Sequence, residues 1–114
     1  MKVKIIERSK FLRWNPVFPR WVNGFTFGRT IHFKNRLVEH EERMIWHEVC
    51  HVCQFERHGL IKMSIDYLKE YAKKKYREIS FEQEAYANET PEKILKLYPE
   101  CSGIVAEVKE LLHV

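Results

Sequence analysis

Residues 46–56 read WHEVCHVCQFE, and this stretch decides the expected fold and the candidate site. It contains the pattern H-E-x-x-H, formed by His47, Glu48 and His51. On an α-helix, residues four apart lie one turn apart and project from the same face. Two imidazoles at this spacing can bind one Zn²⁺, with the glutamate beside them to take a proton from a metal-bound water. The pattern therefore predicts a zinc site on a helix.

The sequence around this motif favours a helix. No proline or glycine lies between residues 35 and 58, and Gly59 stands where a glycine commonly ends a helix. We therefore predict a helix that begins between Val38 and Glu42 and ends before Gly59. Apolar residues recur on the side away from the two histidines, as a core-facing stripe requires: Ile45, Val49, Val52 and Cys53.

Composition predicts one folded domain. The chain has 114 residues, of which 45% are hydrophobic and 13% aromatic, so it is not a disordered sequence. The net charge of +4 is mild, and the only basic cluster is Lys73 to Lys75 with Arg77. That cluster is typical of a solvated helix face rather than of a nucleic-acid surface, so no nucleic-acid partner is expected.

Targeting signals and cysteine usage predict a cytoplasmic protein. Charged residues follow the N-terminus at once, which does not fit a secretory signal, and no apolar run approaches the roughly 20 residues that span a bilayer. Three cysteines form no disulfide framework and indicate a reducing compartment. Cys50 and Cys53 are expected to be small buried residues inside the helix rather than a redox pair, with Cys101 as the only other thiol.

The remaining chain predicts a mixed α+β fold. Residues 2–7 alternate charged and apolar, which predicts a short strand, and residues 25–33 form an aromatic and β-branched run that predicts a second one. Between them, residues 11–21 carry two prolines and several large rings. We interpret this segment either as a lid over the core or as an apolar wall beside the metal cleft.

Helix signals follow Gly59. Helical spacing of apolar residues predicts a second helix over residues 63–77. Ser80 and Gln83 have the form of a capping box, which predicts a third helix from Phe81 to about Asn88. Thr90-Pro91 is a further start signal, and Ser102 can begin a last helix.

A third metal ligand has three candidates in the sequence: His58, Glu82 and Glu84. His58 follows His51 by seven residues, about 10 Å along a helix axis, which is too far to share one ion. Glu82 and Glu84 point about 200° apart on a helix, so one face cannot present both. The carboxylate that does not face the metal is expected to face solvent. His32 and His40 have no partner at ligand spacing and are expected to be ordinary polar residues.

Two motifs together carry a family resemblance. His47-Glu48-x-x-His51, followed by Phe81-Glu82-Gln83-Glu84-Ala85-Tyr86, resembles the gluzincin arrangement, in which a downstream helix supplies a glutamate ligand. The chain is similar to small zincin-like metallopeptidases of bacteria and more distantly to membrane-bound Ste24-type proteases. The resemblance implies that residues 1–114 form one minimal zincin-like domain. In this α+β domain a small antiparallel sheet packs on the active-site helix, with further helices C-terminal to it.

The resemblance also implies roles for individual residues. Glu82 takes the position of the third zinc ligand, and Tyr86 replaces the usual aspartate, with its hydroxyl expected to hydrogen-bond near the site. Residues 28–33 correspond to an edge strand that pairs with an extended substrate, which assigns substrate binding to Gly28, Arg29, Thr30 and Ile31.

The expected function is zinc-dependent peptide-bond hydrolysis by a metal-activated water, with Glu48 as general base. The partner would be a peptide or protein substrate. The alternative is a zinc-stabilised binding or regulatory domain that no longer turns over peptides. A general base is needed only for catalysis, so the presence of Glu48 favours the enzyme.

Overall fold

The computed structural model describes residues 3–14 and 22–112, which form a mixed α+β structure. The aromatic and proline-rich segment discussed above falls mostly on residues 15–21, outside the described residues. The helices are α1 (Lys10–Arg13), α2 (Glu42–His58), α3 (Leu60–Lys73), α4 (Ser80–Ala87), α5 (Pro91–Leu97) and α6 (Ser102–Leu112). The strands are β1 (Lys4–Ile6), β2 (Gly24–Phe27) and β3 (Thr30–Phe33). The α+β prediction is confirmed.

The three strands form one mixed sheet in the order β1-β3-β2. β1 runs parallel to β3, with Ile5 opposite Ile31, and β2 runs antiparallel to β3, with Thr26 also opposite Ile31. The prediction of a purely antiparallel sheet is therefore wrong for β1. Parallel pairing needs a long connection, and the more than 20 residues between β1 and β3 provide one.

The predicted strand over residues 25–33 is a hairpin. Gly28 has a φ of 64°, and the chain reverses there so that Phe27 pairs with Thr30. As a result β3 is the central strand, and both of its edges are already paired. The prediction that residues 28–33 form an open edge strand for substrate is wrong, because β1 occupies the position that a peptide would need. The strand at the sheet edge beside α2 is β2.

Helix α2 is the centre of the structure. Every residue from Ile45 to Gln54 is buried, so the helix is covered by protein on all sides along this span. Its apolar side packs with Ile31 and Phe33 of the sheet in the hydrophobic core. Fully burying a valine such as Val49 contributes about 1.5–3 kcal/mol. The predicted helix end is confirmed, since Gly59 has a φ of 88° and separates α2 from α3.

The helices after Gly59 occur in the predicted order, with two corrections. Helix α3 spans Leu60–Lys73 rather than the predicted residues 63–77, because the backbone of Lys74 is extended and Tyr76–Glu78 form a separate 3₁₀ helix. Ser80 does not cap α4, since it is the first helical residue, and its Oγ donates to Glu70 Oε2 over 2.6 Å. The Ser80 amide also donates to Glu70 Oε1, over 3.1 Å, so a carboxylate of α3 holds the start of α4. Thr90 caps α5 as predicted, accepting the amide of Lys93. Within residues 3–14 and 22–112, none of the helices combines the length and the apolarity that crossing a membrane requires.

Cys50 and Cys53 are free and buried, as expected, and Cys101 is free and buried as well. Cys50 and Cys53 lie in the middle of α2, and Cys101 lies just before α6, and all three belong to the apolar core. Burial raises the pKa of the Cys50 thiol to about 12, which keeps it protonated and unreactive. The C-x-x-C spacing is therefore a packing feature.

Candidate metal centre

Three side chains of α2 and α4 converge in the interior: His47, His51 and Glu82. Glu82 Oε1 lies 2.9 Å from His47 Nε2 and 3.0 Å from His51 Nε2. One ligand atom from each of the three residues lies within 4.8 Å of the others, and all three residues are buried. These residues can hold a metal ion. Of the three candidates for the third ligand, the structure brings Glu82 to the two histidines.

The donor set fits a tetrahedral ion with an open position. Two imidazole nitrogens and one carboxylate oxygen are a known ligand set of catalytic zinc, which keeps its fourth position for water. Ligands about 2.0–2.1 Å from such an ion stand about 3.3 Å from one another. The nitrogen–oxygen separations of 2.9 and 3.0 Å are a few tenths of an ångström shorter, and all three ligand atoms lie within 4.8 Å of one another, so side-chain shifts would bring them to the spacing that the ion requires.

Each histidine is oriented by a second hydrogen bond at its other ring nitrogen. His47 Nδ1 lies 3.0 Å from Glu89 Oε2, and His51 Nδ1 lies 2.7 Å from Gln54 Oε1. Both partners are acceptors, so each Nδ1 donates its proton to them and each Nε2 faces Glu82 at the centre of the cluster, where it would become the metal-binding nitrogen. Sequence reasoning missed Glu89 and Gln54. Gln54 could have been found three residues after His51 on one helix face, whereas Glu89 is 42 residues from His47 and gave no signal.

Gln54 connects the cluster to a buried polar network. Its Nε2 donates to the carbonyl of Phe81 over 3.0 Å and to Glu84 Oε1 over 3.0 Å. Tyr98 also donates its hydroxyl to Glu84. Glu84 is therefore half-buried and hydrogen-bonded, and the prediction that it faces solvent is wrong. Gln54 therefore connects His51 and Glu84, with its oxygen toward His51 and its nitrogen toward Glu84.

The electrostatics of the cluster are those of an ionised carboxylate between two imidazoles. Burial raises the pKa of Glu82, but the two histidines outweigh it and hold that pKa well below its usual range. Burial lowers the pKa of His51, but Glu82 outweighs it and raises that pKa to about 9. Tyr67 of α3 donates its hydroxyl to the other oxygen of Glu82, Oε2, over 2.7 Å. Both oxygens of Glu82 are thus fixed in place.

Glu48 lies beside the cluster and is held by β2. It is 3% exposed, and its Oε1 accepts the hydroxyl of Thr26 over 2.8 Å. Burial raises the pKa of the Glu48 carboxyl above its ordinary value. Gly24 gives Glu48 room, because a Cβ at that position would stand 2.9 Å from Glu48 Oε2. A buried carboxyl with a raised pKa is a stronger base than an exposed one and can take a proton from a water molecule beside it.

Tyr86 lies at the site but does not play the expected part. Its ring packs on His47, with centroids 4.4 Å apart and planes tilted by 59°. The hydrogen bond that orients His47 comes from Glu89 instead. The prediction assigned the support of the ligands to the Tyr86 hydroxyl, whereas the contact in the structure is made by the Tyr86 ring.

The other predicted residues lie outside the cluster. His58 is exposed near the end of α2, and Arg29 forms an ion pair with Glu56 in the same region. Ile31 is fully buried in the core, so its side chain cannot contact a substrate. Gly28 forms the hairpin turn, and the backbone of Thr30 is paired in the sheet. His32 and His40 have hydrogen-bond partners outside the cluster, which are the hydroxyl of Ser9 and the amide of Asn35.

A cavity of about 170 Å³ opens beside the cluster, between β2 and α3. One histidine and two carboxylates described above reach it: His51, Glu48 and Glu82. The rest of its lining is mostly apolar or aromatic: Gly24, Phe25, Thr26, Phe27, Phe55, Met63, Ser64, Tyr67, Leu68, Tyr71 and Tyr76. Two of the three candidate ligands, His51 and Glu82, therefore border, together with Glu48, a space that a small ligand could enter.

Fold and site together define an α+β protein with a buried His–His–Glu cluster that can hold a metal ion. No family model matches the sequence, and no curated protein or solved structure matches the chain.

Proposed function

We propose that this chain is a zinc-dependent peptide hydrolase of the zincin type, with His47, His51 and Glu82 as metal ligands and Glu48 as general base. One observation carries the proposal. Two ligands and Glu48 border the same cavity, so a metal ion, a base and a substrate would meet there. A metal site that only stabilises a fold is normally closed by four protein ligands and has no need of a base.

The donor set supports zinc as the metal. Imidazole nitrogen and carboxylate oxygen are both common zinc ligands, and the three residues leave one position open. A bound zinc ion would lower the pKa of a water molecule to about 7 and polarise the carbonyl group of the substrate. All other parts of the mechanism fall to residues of the chain.

Glu48 would move the proton. Peptide hydrolysis joins a water oxygen to the carbonyl carbon and breaks the bond to nitrogen, giving one carboxylic acid and one amine. Glu48 would accept a proton from the attacking water and deliver it to the leaving nitrogen. Thr26 would hold the Glu48 carboxyl in position through the 2.8 Å hydrogen bond. The apolar lining beside Glu48 would exclude water and strengthen these interactions.

The alternative is a zinc-stabilised binding or regulatory domain without turnover. The strong burial of the ligands favours it, since His47, His51 and Glu82 are only 1%, 5% and 2% exposed. Such a domain would gain folding energy from the metal and would need no base.

The test is cleavage of a quenched-fluorescence peptide library by the zinc-loaded chain, with cleavage sites read by mass spectrometry. The matched control is Glu48→Gln, which keeps the shape of the side chain and removes its charge. We expect this variant to retain zinc and to hydrolyse peptides at least about 100-fold more slowly, the loss typical of a general base. If neither protein cleaves any peptide while both hold zinc, the binding-domain alternative is correct.

A further inference from the structure

The cavity beside the candidate metal centre has an exposed rim and a buried floor. Phe27 of β2 and Leu68 of α3 are 49% and 65% exposed and stand at the surface. Met63 and Glu82 are 1% and 2% exposed and lie at the inner end. We name this cavity the side-chain pocket. It runs from the protein surface to the residues that would carry out the reaction.

The lining of the side-chain pocket selects by polarity. The described residues that line it include aromatic and aliphatic side chains but no lysine or arginine. Its two carboxylates lie at the inner end, where Thr26 donates to one oxygen of Glu48, and Tyr67 and the two histidines contact Glu82. A charged substrate group would lose its hydration against the apolar and aromatic walls, which offer it no ion-pair partner.

The volume of the side-chain pocket selects by size. An apolar cavity of about 150 Å³ is large enough to bind benzene. The side-chain pocket, at about 170 Å³, has room for one phenyl or isobutyl group. A methyl group would leave most of this apolar surface without contacts, so alanine would gain little from entering it.

We infer that the side-chain pocket binds one bulky apolar side chain of the substrate, of the leucine or phenylalanine class, next to the peptide bond to be broken. The inference rests on the proposed function and adds the substrate class to it. The apolar side chain would anchor the peptide through α3 and β2 while the adjacent carbonyl group lies at Glu48 and the metal ligands.

The first experiment compares peptides that differ at one residue in an otherwise glycine- and serine-based sequence. The varied residue is leucine, phenylalanine, alanine, lysine or glutamate, and kcat/KM is measured with the zinc-loaded chain. We expect the leucine and phenylalanine peptides to be cleaved at least about tenfold faster than the other three, the range set by one apolar pocket. Equal rates across the five peptides would overturn the inference and leave the proposed hydrolysis standing.

The second experiment fills the side-chain pocket. Ser64 of α3 lines it, and its hydroxyl bonds only to the helix backbone, at the carbonyl of Leu60, so Ser64→Leu should fold and occupy the space. We expect this variant to reduce the preference for leucine and phenylalanine over alanine at least about tenfold. Lys69→Leu is the control, because Lys69 is exposed on the same helix and does not line the pocket. An unchanged preference in Ser64→Leu would contradict the inference.

The third experiment needs no turnover. Met63 lines the side-chain pocket and Met44 does not, so methionine-methyl NMR reports occupancy with an internal control. N-acetyl-leucinamide should shift the Met63 signal, whereas N-acetyl-lysinamide should leave it in place, and Ser64→Leu should abolish the leucinamide shift. If no peptide is cleaved, this result decides the inference separately from the proposed function. An unmoved Met63 signal with N-acetyl-leucinamide would refute it.

Discussion

Gln54 Oε1 lies 2.7 Å from His51 Nδ1, and this contact fixes which nitrogen of His51 faces the candidate metal centre. Gln54 lies on the same helix as His51 and is fully buried. Its amide group donates to Phe81 and Glu84, so its oxygen is the atom available to His51. The orientation of one candidate metal ligand thus depends on a network that reaches from α2 to α4.

The first prediction concerns Gln54→Met. Methionine fills a similar volume but cannot accept the His51 Nδ1 proton, so the ring loses its fixed orientation. We expect zinc affinity to fall about 10- to 100-fold, as is typical when a partner of a metal-binding histidine is removed. Competition with a chromophoric chelator measures this affinity. The melting temperature of the metal-free variant is recorded beside it, because Glu84 also loses a donor. Unchanged zinc affinity would mean that Gln54 has only a structural role.

Stoichiometric metal is the second prediction. The purified chain should bind one zinc ion, and zinc should raise its melting temperature, because metal binding to the folded state adds to the free energy of unfolding. His47→Ala should abolish both effects. Elemental analysis and thermal unfolding with and without a chelator measure them. His58→Ala is the control, since His58 is exposed near the end of α2 and lies outside the cluster. A chain that takes up no zinc and gains no stability from it does not have the proposed site.

Glu82 and Glu84 give the third prediction. Glu82 lies 2.9 and 3.0 Å from the two histidines, whereas Glu84 is held by Gln54 and Tyr98. Glu82→Gln should weaken zinc binding by orders of magnitude, because an amide is a poor zinc ligand compared with a carboxylate. Glu84→Gln keeps an acceptor for the Gln54 amide and should weaken zinc binding far less than Glu82→Gln does. Isothermal titration of zinc into both variants distinguishes them, and a larger loss in Glu84→Gln would assign the third ligand to Glu84.

The sequence predicted those features that depend on local spacing. The bounds of α2 and the pairing of His47 with His51 follow from helical periodicity and from Gly59, all within one short segment. The parallel pairing of β1 and the orientation of His47 by Glu89 depend on residues far apart in sequence, and no local pattern encodes such contacts. Ser80 shows the opposite failure. Its local pattern was that of a cap, but the carboxylate of Glu70 in the folded chain became the partner of its side chain.

The fourth prediction concerns Glu70 and pH. The hydrogen bond from Ser80 lowers the pKa of the Glu70 carboxyl below its usual value. When the pKa of a carboxyl is lower in the folded chain than in the unfolded chain, its ionised form stabilises the folded chain at pH values above the unfolded-chain pKa. This contribution disappears as the pH falls through the pKa of the folded chain. Glu70→Ala should therefore lower the free energy of unfolding by about 1 kcal/mol at pH 7. The difference should shrink below about pH 4. Urea unfolding of the variant and the original chain, at pH 7 and below about pH 4, measures this difference in the free energy of unfolding. A difference that does not change with pH would exclude a role for the charge.

The last prediction tests Glu48 without changing Glu48. A Cβ at Gly24 would stand 2.9 Å from Glu48 Oε2 and 3.0 Å from its Cγ and Cδ, closer than such atoms approach in proteins. Because Glu48 is the movable partner, Gly24→Ala should displace its carboxyl while His47, His51 and Glu82 stay in place. A displacement of about 1 Å can reduce a reaction rate about 100-fold. We therefore expect the variant to bind zinc as tightly as the original chain and to cleave peptides far more slowly.

Gly103→Ala is the matched control for that change. A Cβ at Gly103 meets nothing within 4 Å, and the residue lies in α6, away from the candidate site. Alanine in a helix is favoured over glycine by up to about 1 kcal/mol, so this variant should be as stable as the original chain or more stable, with unchanged cleavage. Zinc titration, thermal unfolding and kcat/KM are measured for both. Full activity in a folded, zinc-loaded Gly24→Ala chain would show that the position of Glu48 does not control the reaction, and the base would have to be another residue.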